Sequence, residues 1–290
     1  MKGHVTVWAC VVGLGALLAG SPVRAATTNY MELTATRVDD QTMPYTGFRG
    51  HIEVVLGNET DVSSVTVATP GGLVPLIDVS GNGTNWVQKM YVPDLATFTS
   101  ATSGAWMVTV NQGASTSTLN FTLNTSELTD ADFYPTPTGL SPGQGATGVP
   151  GGATLSWTGP AGSATSQVLE SDISDNLGHD QQVLSLDATN PISLAATSWT
   201  PAGTITANAC QWEVGYYQRA SSSLVTSLSS AGSVAWDTSP YAGIDWTSGV
   251  PLVIVGSQSI VSFNQSTPEP ASVVLLGLGG LLLWARRRRA

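Results

Sequence analysis

Residues 106–123 have the sequence WMVTVNQGASTSTLNFTL, in which apolar side chains recur with a period of two in two segments. Asn111-Gln112-Gly113 lies between the segments and has the composition of a tight turn. Successive side chains of a β-strand point to opposite faces, so this pattern predicts a β-hairpin with one apolar face. The predicted apolar positions are Trp106, Val108, Val110, Leu119, Phe121 and Leu123.

The chain before this hairpin carries further strand signals. Residues 51–56 and 62–67 are rich in β-branched and aliphatic side chains, and Ser80-Gly81-Asn82-Gly83 predicts a second hairpin turn. Residues 93–96 are predicted to form a single turn of helix. Because no stretch has sustained helical periodicity, we predict that residues 26–134 form an antiparallel β-sandwich.

A second β-sandwich is predicted over residues 135–238, after a boundary rich in proline. Five segments carry a further pattern: Ser141-Pro142, Gly145 to Pro150, Thr154 to Thr158, Thr197 to Pro201, and Gln211 to Val214. This pattern resembles fibronectin type III-like and immunoglobulin-like modules of bacterial surface proteins. The resemblance implies spacing, display or binding. Cys210 stands where such modules often have a corner tyrosine, so that hydrogen bond would be missing or replaced.

Residues 239–265 contain two more apolar segments, 252–255 and 259–263, separated by Gly256-Ser257. We predict two short strands with a turn between them, followed by a short polar stalk that leads to the tail. The pattern does not indicate which domain these strands complete.

The tail, residues 266–290, is STPEPASVVLLGLGGLLLWARRRRA. Pro268, Glu269 and Pro270 predict an extended, accessible segment because each proline restricts its own φ and the preceding residue. Residues 271–285 are uncharged and predict a transmembrane segment, although fifteen helical residues span only about 22 Å. Four arginines then provide a stop-transfer signal: Arg286, Arg287, Arg288 and Arg289.

This order of Pro-Glu-Pro, short apolar run and terminal arginine cluster resembles the PEP-CTERM sorting signal of Gram-negative bacteria that produce exopolysaccharide. The resemblance implies that an exosortase recognises Pro268 to Pro270 and removes the tail. It further implies an inner-membrane intermediate, held by the C-terminal helix, and then delivery to the cell surface, outer membrane or extracellular matrix. A single-pass membrane anchor is the alternative interpretation.

Residues 1–25 predict a signal peptide for the general secretion machinery. Lys2 supplies the positive region, residues 5–19 are apolar, and cleavage is expected after Ala25. Both ends of the chain therefore indicate an exported protein.

Removing both ends leaves 19 carboxylates and four basic residues, a net charge of −15. This charge excludes nucleic acid as a natural partner, because phosphate binding requires a basic surface. Cys210 is the only thiol left, so no internal disulfide is possible. It alternates with Trp212 and Val214 and is interpreted as a core residue.

Two segments have the residue types of a chemical site. His51 and Glu53 lie on one face of a predicted strand and could act as an acid–base pair, although a solvated strand face is the expected alternative. Residues 170–180 form the densest acidic segment, expected to be a solvated loop. Asp172, Asp175 and Asp180 are calcium candidates there, but their spacing does not match a calcium-binding loop. No cofactor or other metal is predicted.

Tryptophan could also mark a sugar-binding surface, since aromatic rings stack on sugars. Most tryptophans occupy apolar strand positions, and only Trp86 and Trp246 are predicted to be exposed. We therefore predict a non-catalytic structural or adhesive protein of the exopolysaccharide matrix, with extracellular polysaccharide as a candidate partner. A carbohydrate-binding module is the first alternative and a secreted hydrolase the second.

Overall fold

A computed structural model describes residues 29–43, 45–57, 59–160, 168–175, 180–185, 192–201, 209–220, 222–236 and 252–265. The predicted signal peptide with Ala25, the sorting tail of residues 266–290, and Trp246 lie outside these residues. Within them, no helix is long and apolar enough to cross a membrane.

The described residues are mostly β-strand. The strands are β1 Asn29–Asp40, β2 Tyr45–Leu56, β3 Val62–Thr69, β4 Gly72–Pro75, β5 Ile77–Asp78, β6 Asn85–Val92, β7 Gly104–Gln112, β8 Ser115–Leu123, β9 Thr138–Ser141, β10 Leu155–Thr158, β11 Val168–Asp175, β12 Asp180–Leu184, β13 Ser198–Trp199, β14 Ala209–Arg219, β15 Val225–Ala231 and β16 Leu252–Asn264. Short 3-10 turns occur at Thr125–Glu127, Asp130–Asp132 and Ser222–Leu224. The predicted all-β class is confirmed at this level.

One α-helix, α1 (Leu95–Thr102), lies among the described strands. Asp94 caps its N-terminus by accepting a 2.7 Å hydrogen bond from the backbone N–H of Thr97. The prediction of a single helical turn was one turn too short. Phe98 and Thr102 are buried, so packing extends the helix beyond what its sequence pattern indicated.

The strands form three sheets. An eight-stranded sheet, which we call the long sheet, has the order β12-β11-β14-β16-β1-β2-β6-β5. A five-stranded sheet has the order β15-β8-β7-β3-β4, and a three-stranded sheet has the order β13-β10-β9. In the long sheet, β16 pairs antiparallel with β14 and parallel with β1. Strands from both predicted domains therefore belong to one hydrogen-bonded sheet.

Two apolar cores lie on the same face of the long sheet. The first packs Leu33 and Ile52 of the long sheet with Trp106 and Phe121 of the five-stranded sheet. The second packs Trp212 of the long sheet with Trp157 of the three-stranded sheet, their ring centroids 6.1 Å apart. Strand β16 contributes Val253 and Val255 to the first core and Val261 and Phe263 to the second. The predicted apolar face of residues 106–123 and the predicted core position of Cys210 are confirmed.

The prediction of two short strands around Gly256 was wrong, because β16 is continuous from Leu252 to Asn264. A Cβ atom on Gly256 would lie 2.1 Å from Cδ1 of Tyr217, on the neighbouring strand. The glycine therefore makes room for an aromatic ring within a strand and does not form a turn.

The segment 239–265 completes both halves of the fold through β16, which joins β14 to β1. In addition, β15, within residues 135–238, pairs with β8, within residues 26–134. Independent folding of the two predicted domains stays a prediction.

Candidate binding face

The face of the long sheet that points away from both cores carries polar side chains. Alternation places these side chains there, because the residues between them point into the cores. We call this surface the polar face, and its members on β1, β2, β11, β14 and β16 are Glu32, Thr34, Thr36, Arg49, His51, Glu53, Glu170, Asp172, Glu213, Tyr217 and Gln258.

Most of the polar face is buried. Glu53 has no exposed surface, Arg49 is 3% exposed, and Glu170 is 5% exposed. Charged side chains are seldom buried to this extent unless they are paired or take part in a site. The arrangement is therefore costly for folding.

Direct strand pairing aligns one row of residues across the middle of this face. Tyr217 pairs with Gly256, Gly256 with Thr36, Thr36 with Arg49, and Arg49 with Tyr91. Neighbouring strands lie about 4.8 Å apart, so Tyr217 and Thr36 stand roughly 10 Å apart on either side of Gly256. The row brings together residues from both ends of the chain.

The ring of Tyr217 lies flat against the sheet. A Cβ atom on Gly215 would be 2.5 Å from the Tyr217 hydroxyl oxygen, and one on Gly256 would be 2.1 Å from its Cδ1. Both glycines are therefore needed for this ring position. One side of the ring covers the two glycines, and the residue as a whole is only 1% exposed, so the outer side of the ring is covered as well.

Hydrogen bonds connect the side chains around this ring. Arg49 donates through Nη2 to Oε1 of Gln258, and Gln258 donates through Nε2 to Oε2 of Glu213. Gln211 donates to the other oxygen of Glu213 at 2.9 Å. Separately, Gln182 donates to Oε1 of Glu170. Glu213 is thus held by glutamines of its own strand and of β16, and Glu170 by a glutamine of β12.

Among the buried polar atoms on this face that have no hydrogen-bond partner among the described residues, three belong to threonine, arginine and histidine side chains. They are Oγ1 of Thr36, Nε of Arg49 and Nε2 of His51. Their residues are at most 3% exposed. A buried polar group without a partner lowers the stability of a fold by about 1–3 kcal/mol, so such groups call for an explanation.

The pKa values of this face are strongly shifted. Burial, together with the charge of Glu213, raises the pKa of Glu170 to about 7. Burial lowers the pKa of His51 well below its ordinary value, and Lys89 and Arg49 lower it further. The Tyr217 hydroxyl helps to lower the pKa of Glu170, although the two groups do not meet hydrogen-bond geometry. At neutral pH His51 is uncharged and Glu170 is partly protonated.

Sequence analysis placed His51 and Glu53 on one face of a strand, and the structure confirms this. The expectation of a solvated strand face was wrong, because His51 is 2% exposed. Whether a strand face is buried depends on the tertiary fold, and local sequence does not contain that information.

The acidic segment also differs from its expected loop structure. Glu170, Asp172 and Asp175 belong to β11, which is held between β12 and β14. Asp172 lies on the polar face, whereas Asp175 faces the other way and pairs with Cys210. These two candidates cannot hold one calcium ion together. The Asp180 side chain is outside the described part, within which no group of three or more His, Cys, Asp or Glu side chains could hold a metal ion.

Trp86 was expected to be exposed, and this was wrong. It is 8% exposed, packs into the first core and donates a 2.8 Å hydrogen bond from Nε1 to the backbone oxygen of Gly83. Arg49 and Tyr217, by contrast, were missed by the sequence analysis. The available signal was the pair of glycines, Gly215 and Gly256, inside otherwise regular strand patterns.

Comparison with known proteins concerns the tail. Residues 266–289 match the family model of the PEP-CTERM protein-sorting motif. The chain carries a PEP-CTERM sorting signal. This confirms the interpretation of the tail as a PEP-CTERM sorting signal, and it indicates an exosortase-sorted protein that is exported to the cell surface. The separate roles of the Pro-Glu-Pro tripeptide, the transmembrane segment and the stop-transfer arginines stay predictions. No curated protein matches the chain. The fibronectin type III-like interpretation stays a prediction with which the all-β fold is compatible.

Proposed function

We propose that this protein is a non-catalytic structural or adhesive component of the exopolysaccharide matrix, sorted to the surface by an exosortase. The observation that carries the proposal is the sorting motif at residues 266–289. A sorting signal determines only where a protein is delivered, so its role at the surface must depend on the residues that precede the signal.

The long sheet supports a mechanical role. It joins both cores through β16, whose thirteen residues pair on one side with β14 and on the other with β1. A load applied across the molecule is therefore shared by backbone hydrogen bonds along a continuous strand. The one thiol of the mature chain leaves the cores to be stabilised by apolar burial, without an internal disulfide.

The sorting step is tested in the native host with Glu269→Ala. Loss of the carboxylate should leave the protein in the inner membrane with its tail attached, because recognition requires the extended Pro268-Glu269-Pro270 segment. Ser266→Ala is the matched control and should be trimmed normally. Cell fractionation and the intact mass of the protein distinguish the two species. A trimmed Glu269→Ala protein at the surface would replace the sorting interpretation with a simple anchor.

A carbohydrate-binding role is the second candidate. Its support is the type of residue on the polar face, where arginine, glutamate and glutamine side chains, all able to hydrogen-bond to sugar hydroxyl groups, lie next to an aromatic ring. Sugar binding and matrix adhesion are compatible functions.

A further inference from the structure

We propose that the outer face of the five-stranded sheet binds the same face of a second copy of this chain. The inference adds a partner to the proposed matrix role, but it does not depend on the sorting step. Association of the purified protein and trimming in the host are measured separately, so one can fail without the other.

The outer face of the five-stranded sheet lies opposite the first core. Trp106, Val108 and Phe121 point into that core, so the residues between them point outward. Strand pairing arranges the outward residues in rows that cross the sheet. We call these rows the uncharged face: Leu73, Ala68, Met107 and Asn120 in one row, Pro75, Thr66, Thr109 and Thr118 in the next, and Ala105, Thr122 and Thr226 in a third.

The first argument is the distribution of charge. No residue in the five strands of this sheet is charged, whereas every strand of the long sheet except β16 carries at least one charged residue. The predicted mature body has a net charge of −15, so two copies that meet through acidic surfaces repel each other. Contact through the uncharged face keeps the carboxylates of both copies outside the contact, where salt screens them.

The second argument is an exposed apolar side chain at the centre of the face. Met107 lies on β7, the middle strand of the sheet, and is 40% exposed. Leu73 stands in the same row but on the edge strand β4. Central apolar anchors carry most of the binding energy of an interface, and residues at the rim contribute little. Met107 is therefore the expected anchor, and its flexible side chain can adapt to the opposing surface.

The third argument is a depression of about 330 Å³ beside Met107. Small side chains, those of Ala68 and Ala105, leave this space between the strands. Ala105 and Met107 are two residues apart on β7, which corresponds to about 7 Å. A two-fold axis that runs between them, parallel to the face, places the Met107 of each copy over the depression of the other. Self-complementary surfaces of this kind form symmetric dimers.

The fourth argument is the residue type around Met107. Thr66, Thr109 and Thr118 are half-buried, and a hydroxyl group both donates and accepts hydrogen bonds. Two identical faces can therefore satisfy each other. Threonine also has few side-chain conformations to lose when a contact orders it.

The size of the face is sufficient for a specific dimer. Five strands about 4.8 Å apart, with about 3.3 Å per residue along each strand, give a face of about 600 Å². Burial of this face on both copies covers about 1,200 Å², at the lower end of the range for specific interfaces. We therefore expect a weak, reversible dimer.

The test measures the mass of the protein in solution. The protein is purified as the native host delivers it, and sedimentation is recorded from about 1 to 500 μM. We expect a monomer–dimer equilibrium with a Kd on the order of 10 μM. Raising the salt from about 0.05 to 0.5 M should strengthen the dimer several-fold, because carboxylates outside the contact are screened. A protein that stays monomeric, or a dimer that salt dissociates, would overturn the proposal.

Substitutions at Met107 locate the contact. Met107→Glu places a carboxylate of each copy against the other and should weaken dimerisation at least about a hundredfold. Met43→Glu is the matched control, because Met43 is 53% exposed in the turn between β1 and β2, and it should dimerise as the unmodified protein does. Met107→Thr keeps the face uncharged and suits a strand, so it should fold and weaken the dimer about tenfold. Dimerisation of both Met107 variants equal to that of Met43→Glu would place the contact elsewhere and overturn the inference.

A neutral polysaccharide is another occupant that an uncharged face can accept. Electrophoresis in native gels that contain dextran or starch tests it with the same variants. An unmodified protein that is monomeric and is retarded by the polysaccharide, while Met107→Glu is not, would assign the face to polysaccharide and overturn self-association.

Discussion

The two faces of the long sheet treat buried polar groups differently. On the core face, such groups are paired: Nε1 of Trp212 donates to Oγ of Ser171 at 3.0 Å, and Ser259 donates to the backbone oxygen of Pro137 at 2.6 Å. On the polar face, Thr36, Arg49 and His51 each keep an atom without a hydrogen-bond partner among the described residues. The same strands thus carry one face whose buried polar groups are hydrogen-bonded and one face whose unpaired polar groups lower the stability of the protein.

This difference separates a satisfied face from an incompletely satisfied face within a single sheet. A core face gains stability when each polar group is satisfied inside the protein. A face that leaves buried donors and acceptors unpaired makes the folded protein less stable than it could be. The comparison can be tested by substitutions on each face.

The largest effect is expected on the core face, at Trp212. Trp212→Ala should lower the free energy of unfolding by about 3–5 kcal/mol, because a fully buried indole, its hydrogen bond to Ser171 and its contact with Trp157 are lost together. Leu73→Ala, at a side chain that is 70% exposed, is the control and should change it by less than about 0.5 kcal/mol. Urea unfolding measures both, and equal losses would contradict the assignment of the core.

The next effect is a pH-dependent gain in the free energy of unfolding when Glu170 on the polar face is replaced by glutamine. The pKa of Glu170 is about 7 in the folded protein against an ordinary value of 4.5, so the folded state binds more protons between these pH values. The free energy of unfolding that depends on the Glu170 carboxyl therefore falls as the pH rises from 4.5 to 7. Glu170→Gln removes this loss and can still accept the hydrogen bond from Gln182.

We expect Glu170→Gln to match the unmodified protein near pH 4 and to exceed its stability by up to about 3 kcal/mol at pH 8. Denaturant unfolding of both proteins from pH 4 to pH 8 measures the difference, and the low-pH point is the internal control. A difference that is constant with pH, or that favours the unmodified protein at pH 8, would show that Glu170 is not a destabilising buried carboxylate.

A smaller loss is expected where the Tyr217 ring lies against the backbone. Gly256→Ala would place a Cβ 2.1 Å from the ring and 2.8 Å from the backbone oxygen of Tyr216, so we expect a loss of about 1–3 kcal/mol. Gly151→Ala, whose Cβ would meet no atom within 4 Å, should be nearly neutral. Thermal unfolding compares the two, and a neutral Gly256→Ala would mean that the ring is free to move off the sheet.

The strands that border the cores were predictable from sequence because one of their faces is apolar. Trp106, Val108 and Val110 recur with a period of two, and this pattern is sufficient to identify a strand and its buried side. The same reasoning confirmed Trp157 and Trp212 as core residues.

The polar face was not predictable in the same way. A polar residue at an alternate strand position looks the same in sequence whether it is exposed, like much of β15, or buried, like Thr36. Its neighbours also come from distant parts of the chain, since Thr36 pairs with Gly256. Gly256 was interpreted as a turn because a glycine needed for close packing and a glycine needed for a bend are identical in sequence.

The smallest effect is expected at Thr36, and it is measured against Thr34, which stands on the same strand and the same face. Thr34 and Thr36 are both fully buried on β1, but only Thr34 donates a hydrogen bond, at 2.7 Å to Oε1 of Glu32. Thr34→Val removes a bond to a carboxylate and should cost about 1.5–3 kcal/mol. Thr36→Val removes a hydroxyl without a described partner and should cost nothing or add up to about 1 kcal/mol. Both variants are measured by urea unfolding of the purified protein. Equal losses would mean that Thr36 is as well satisfied as Thr34, and the polar face would then be a structural network like the core face.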